Sequence, residues 1–176
     1  MKKIQLISRI MKGLFWLACI GSVIFTIAAW ATGSELYSII HFQIYTLSPN
    51  LSFTNQPTSI KLYGFLLTLI PTILISGLFY FAARLFGLYQ SGRVFEPVNA
   101  RYVIKISATI LLWIPLRPIY GALMSNLVTQ ITGKATSLVI FDAGYFADAL
   151  VGILFLVVGW VMLEAAKLNE EQKLTI

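Results

Sequence analysis

Apolar residues in this chain gather into four long runs, at residues 14–31, 63–86, 102–123 and 146–163, and polar residues are largely confined to the segments between them. Each run is long enough to cross a hydrocarbon core of about 30 Å, which takes roughly 20 helical residues. No connection has room for a separate soluble domain. Residues 1–176 are therefore read as one integral membrane domain with four helical spans.

The connecting segments have periods of their own. Ile4, Ile7 and Ile10 recur at helical spacing in a short amphipathic lead-in. In residues 32–62, Ile40, Phe42 and Ile44 alternate with His41, Gln43 and Tyr45, which is the period of a strand, and the alternation resumes over residues 51–54 after a turn at Pro49-Asn50. In residues 124–145, the run Ser137-Leu138-Val139-Ile140-Phe141 is short, apolar and rich in β-branched side chains. A lone hairpin is marginal in water and needs a partner. The expected fold is thus a membrane all-α four-helix bundle with a small extracytoplasmic β-sheet built from the two outside loops.

Between spans two and three, the helix is expected to continue through Tyr89 and stop at Gly92. Glu96 is expected to cap the next helix, with Pro97 at its first position, where a missing N–H costs nothing. Pro71 lies inside span two and frees one carbonyl, which Thr68 and Thr72 are close enough to satisfy. In span four, Gly152, Gly159 and Ala166 recur every seven residues and form a smooth face for close helix packing.

Charge adds orientation to this picture. The chain is 58% hydrophobic and 11% charged, with formal net charge +6. Ten of its thirteen basic residues lie before span one, around residues 84–105, or after span four. Lys61 and Lys134 are the only ones in the other two connections. By the positive-inside rule, both termini and the middle loop face the cytoplasm. The basicity is used up in setting topology, so no direct nucleic-acid contact is needed to account for it. Ala29-Trp30-Ala31 resembles a signal-peptide cleavage site. However, the run before it exceeds the usual apolar core of about 7–15 residues, and an uncleaved span is expected.

Candidate chemistry is sparse. Cys19 lies within span one and is read as a small buried side chain; His41 is alone. No phosphate-binding glycine loop, HExxH or nucleophile elbow is present, and no cofactor or metal is expected. No chain of acids or histidines crosses the spans as a proton relay. Arg117, between Pro115 and Pro118, is the one costly residue in a span, at about 2.5–3.5 kcal/mol for a span centre. It can snorkel to the outer surface or form an intramembrane ion pair with Asp148.

Two segments, LFGLYQSGRVFEPVNARYVIKI (85–106) and EAAKLNEEQKLTI (164–176), resemble the signature regions of the bacterial domain-of-unknown-function family 2975. Leu85-Phe86, Tyr89, Gly92, Phe95, Asn99, Arg101 and Lys105 fit its pattern, whereas Glu96-Pro97 departs from it. The resemblance implies four spans and a terminal acidic helix. It also implies a gene neighbour encoding a small helix-turn-helix DNA-binding protein.

The resulting expectation is a non-enzymatic sensor or membrane anchor for a cytoplasmic regulator. Tyr89, Arg93, Phe95, Asn99, Arg101, Glu164, Glu170 and Glu171 form the candidate docking surface. Topology setting with lipid-headgroup contact is the competing role for those charges. The alternative function is a small transporter or permeability component acting as a homo-oligomer, in which Arg117 and Pro71 belong to a pathway.

Overall fold

The computed structural model describes residues 2–32, 56–94, 96–135, 137 and 143–174. Four helices hold nearly all of them: α1 (Lys2–Thr32), α2 (Thr58–Gln90), α3 (Pro97–Thr132) and α4 (Ala143–Leu174). Each is long and apolar enough to span a membrane. Each also outruns its apolar stretch. The longest, α3, has 36 residues and measures about 54 Å at 1.5 Å per residue, well beyond the hydrocarbon thickness. Hydropathy marks the part that lies in lipid, while backbone hydrogen bonding carries the helix on into polar sequence.

This lengthening corrects the expected fold class. No strand occurs among the described residues, and the fold they show is a four-helix membrane bundle, not a bundle with the expected β-sheet. Two of the segments read as strands, 40–45 and 51–54, lie outside the described residues. Of the third, 137–141, only Ser137 is described, and it is not in a strand. Of residues 124–145, expected as the second outside connection, α3 absorbs the first nine and α4 begins at Ala143. Met124, Leu127 and Val128 are buried, so i, i+3 and i+4 burial holds this stretch in the helix. Gly133, with φ +67°, then ends α3, donating its N–H to the Thr129 carbonyl.

The helices pack in series: α1 on α2, α2 on α3, α3 on α4. Among the described residues, the backbones of α1 and α4 do not approach each other, nor do those of α1 and α3. Cross-contacts fix antiparallel neighbours. Lys12 lies by Gln90 and Trp30 by Thr68; Ser107 lies by Gly152 and Ile114 by Tyr145. The starts of α1 and α3 and the ends of α2 and α4 therefore share one end, which is rich in Lys and Arg.

Two apolar clusters join the layers. Near the opposite end, Ala29, Leu67, Tyr120, Met124, Leu127 and Val128 pack together, with Trp30 lying across Gly64 so closely that a Cβ there would collide with it. Toward the basic end, Ala82, Leu85, Val103 and Ile106 pack with Tyr89 and Met162.

A polar seam binds α1 to α2. Ser22 Oγ lies 2.8 Å from Ser76 Oγ, Thr26 Oγ1 lies 3.0 Å from Thr72 Oγ1, and Trp30 Nε1 donates to Thr68 Oγ1 at 2.9 Å. In lipid there is no hydrophobic force between helices, so such bonds and close packing replace it, each contributing about 0.6 kcal/mol on average. The Thr26–Thr72 pair is one hydrogen short. Both hydroxyls also reach carbonyls of their own helices, Ser22 at 2.9 Å and Thr68 at 2.7 Å, so two hydrogens serve three contacts. Thr68 and Thr72 do not relieve Pro71 as expected. The carbonyl freed by Pro71 belongs to Leu67, whereas these hydroxyls donate to Phe65 and Thr68.

On the other side, Gly152 and Gly159 are buried against α3. A Cβ at Gly159 would lie 2.6 Å from Ile104 Cγ1 and 3.2 Å from the Ile104 backbone nitrogen. Ser107 uses this closeness to donate to the Gly152 carbonyl at 2.8 Å.

Candidate functional site at the basic end

The turn between α2 and α3 is built from backbone bonds. Ser91 is the C-cap of α2, and Gly92 follows with φ +80°, a left-handed conformation that suits glycine. Gly92 N–H donates to the Tyr89 carbonyl at 3.1 Å and Arg93 N–H to the Leu88 carbonyl at 3.0 Å. These two bonds form a Schellman motif and satisfy two of the last carbonyls of α2. Glu96 then takes the N-cap position of α3 with Pro97 in its first turn, but its side chain makes no capping hydrogen bond. Its carboxylate turns back to Arg93 instead: both oxygens accept from Nε at 2.8 Å, and Nη2 lies 2.6 Å from Oε2. That bond and the adjacent negative charge raise the Arg93 pKa above the usual guanidinium value. Arg93 was available because the Schellman bond aims it across the turn; the bidentate fit then outcompetes a cap.

Asn99 holds the same turn from inside. It is fully buried, its Nδ2 donates to the Arg93 carbonyl at 2.6 Å, and its N–H donates to the Glu96 carbonyl at 2.9 Å. Its Oδ1 is buried with no hydrogen-bond partner among the described residues.

The structure thus sorts the candidate docking residues. Asn99 is a turn-holding residue, not a surface one. Tyr89 is half-buried, edge-on to Phe86 with ring centroids 5.8 Å apart. Arg93 and Arg101 are exposed, and Glu164 is exposed and paired with Lys167 at 3.1 Å. Phe95 lies outside the described residues, as do the side chains of Glu170 and Glu171, whose backbone belongs to α4.

A cleft of about 600 Å³ opens at this end over α2, between α1 and α3. Ala83 and Gly87 belong to its lining on α2, Lys12 and Trp16 to that on α1, and Val98 and Tyr102 to that on α3. Arg84 and Arg93 add two guanidinium groups. Lys12 Nζ lies 3.5 Å from Gln90 Oε1, and Arg84 Nε lies 3.4 Å from the Tyr102 hydroxyl. Nothing in the sequence reading singled out Lys12, Trp16 or Arg84 as a group. Their convergence depends on the antiparallel register of α1 and α2, which the polar seam sets and no single-span pattern reveals.

Arg117 lies near the opposite end. Its Nη1 is 3.6 Å from Asp148 Oδ2, just beyond hydrogen-bond range, and its guanidinium carbon is 5.8 Å from the Tyr145 ring centre. Tyr145 also donates its hydroxyl to the Ile114 carbonyl at 3.1 Å. That carbonyl is the one Pro118 leaves without a helical donor, four residues on. The sequence held a signal for this: a tyrosine entering span four and a proline-bearing stretch of span three.

Four antiparallel apolar helices with most of their basic residues gathered at one end define a small multi-span membrane protein. Over residues 11–176 the chain matches the family described as "Protein of unknown function (DUF2975)", and it belongs to that family. No curated protein and no solved structure matches it.

Proposed function

We propose that this protein is a non-enzymatic membrane anchor or sensor that holds a soluble cytoplasmic regulator. In this reading the basic end faces the cytoplasm of a bacterial cell, placing both termini and the 91–96 turn there, in line with the positive-inside rule.

The supporting observation is the overhang of α4. Gly159 stands against Ala100 and Ile104, near the start of α3. From there α4 runs on to Leu174, projecting beyond α3 by roughly 15 Å at 1.5 Å per residue. Such a segment is longer than spanning the bilayer requires. Its sequence bears Glu164, Glu170 and Glu171 against Lys167 and Lys173, so it offers net negative charge. An acidic helix of this kind complements the basic face of a DNA-binding protein and can compete with DNA for it. The helix-turn-helix identity of the regulator rests on the family resemblance.

Crosslinked co-purification from native membranes, followed by mass spectrometry, tests the proposal. The full chain should recover one specific soluble DNA-binding protein, and a chain ending at residue 163 should lose it. Recovery of only the protein itself and lipid would sink the reading and leave a homo-oligomeric membrane component in its place. The alternative transport role would have to draw on Arg117, which faces Asp148 and Tyr145.

A further inference from the structure

We infer that the cleft at the basic end is a binding site for the phosphate-bearing headgroup of an anionic phospholipid. Its charge is the first argument. Arg93 is matched by the Glu96 carboxylate, whereas the polar contacts of Lys12 and Arg84 are to uncharged groups, the Gln90 amide and the Tyr102 hydroxyl. The cleft therefore holds two positive charges with no carboxylate beside them among the described residues. A phosphodiester supplies the missing negative charge.

Shape is the second argument. Gly87 lets the Lys12 stem lie across α2, 3.8 Å from where a Cβ would stand, and the backbones of α1 and α3 stay apart on either side of the cleft. At about 600 Å³ the space exceeds a bare phosphate several-fold and suits a glycerophosphate with the beginnings of its acyl chains.

Depth is the third. Lys12 precedes the first apolar run and Arg84 lies at the end of the second, so both sit where headgroups lie. Trp16, one turn deeper than Lys12, and Tyr102 are amphipathic rings of the kind that favour this boundary. Basic pockets between spanning helices on the cytoplasmic side are suited to acidic headgroups. Bulk phosphate would have to enter from the same side, so the experiment must separate the two sources.

The full chain is purified in zwitterionic detergent and offered equal amounts of phosphatidylglycerol and phosphatidylcholine, and retained lipid is read by native mass spectrometry. The wild-type chain should retain phosphatidylglycerol preferentially. The variant with Lys12→Gln and Arg84→Gln should lose about 30-fold of that preference, two cations' worth of attraction to an anionic headgroup. Arg101→Gln, which removes an exposed charge outside the cleft, should leave it intact. The charge-preserving variant Lys12→Arg with Arg84→Lys should also retain it. Equal retention of both lipids by the wild-type chain would overturn the inference without reference to any variant. So would an unchanged preference in the double glutamine variant. Displacement of phosphatidylglycerol by millimolar inorganic phosphate would assign the cleft to a free anion and overturn the lipid assignment.

Discussion

Replacing Tyr145 with phenylalanine removes one oxygen and leaves the ring. The aromatic contact with Phe146, at 6.1 Å between centroids, and the face offered to Arg117 both survive. What goes is the hydrogen bond to the Ile114 carbonyl, 3.1 Å away. Pro118 has no N–H to give that carbonyl, so within α3 it has no other helical donor. An acceptor left unsatisfied in a buried setting costs about 1–3 kcal/mol. Ile114 is only half-buried, and interhelical bonds in membranes average nearer 0.6 kcal/mol, so about 1 kcal/mol is expected. The decisive experiment is a double-mutant cycle with Pro118→Ala, read by reversible unfolding in mixed micelles. Alanine restores the helical donor, so the cost of Tyr145→Phe should fall close to zero in that background. If the two changes instead add within about 0.3 kcal/mol, Tyr145 is not compensating for the proline and the reasoning fails.

Two other interfaces make comparable claims. Gly159→Leu should destabilise the protein by at least about 1–3 kcal/mol, since even a Cβ at Gly159 meets the Ile104 backbone. Gly13→Leu, where nothing lies within 4 Å of an added Cβ, is the matched control, and equal unfolding midpoints would refute the close-packing account. In the α1–α2 seam, Thr26→Val and Thr72→Val should show a coupling of about 0.6 kcal/mol in the same unfolding assay. No coupling would mean that each hydroxyl serves only its own helix.

The four membrane-length helices were legible because crossing lipid demands long apolar runs, and 14–31, 63–86, 102–123 and 146–163 each fall within one helix. The stop at Gly92 and the restart at Pro97 were legible for a local reason, since a left-handed glycine and a first-turn proline are set by their own backbone chemistry. The smooth face of Gly152 and Gly159 followed from spacing alone. Side-chain choices between near-equal partners were not legible. Glu96 could cap α3 or pair with Arg93, and which wins depends on how the turn aims Arg93. Asn99 looked like a surface polar residue because composition says nothing of the Arg93 carbonyl that draws it inward. The cleft required knowing that Lys12 meets α2 near Gln90 and not a turn away, which is a matter of helix register.

The serial packing of the helices bears on how the chain is made. Each helix rests on the one synthesised just before it, so no segment emerging from the ribosome must wait for a later one to find its neighbour. Helix α2 meets α1, α3 meets α2, and α4 closes the row against α3. Assembly can therefore keep pace with translation. The last step lays α4 against a start of α3 that is already formed, so any partner that needs both would find its site complete only once α4 has been made.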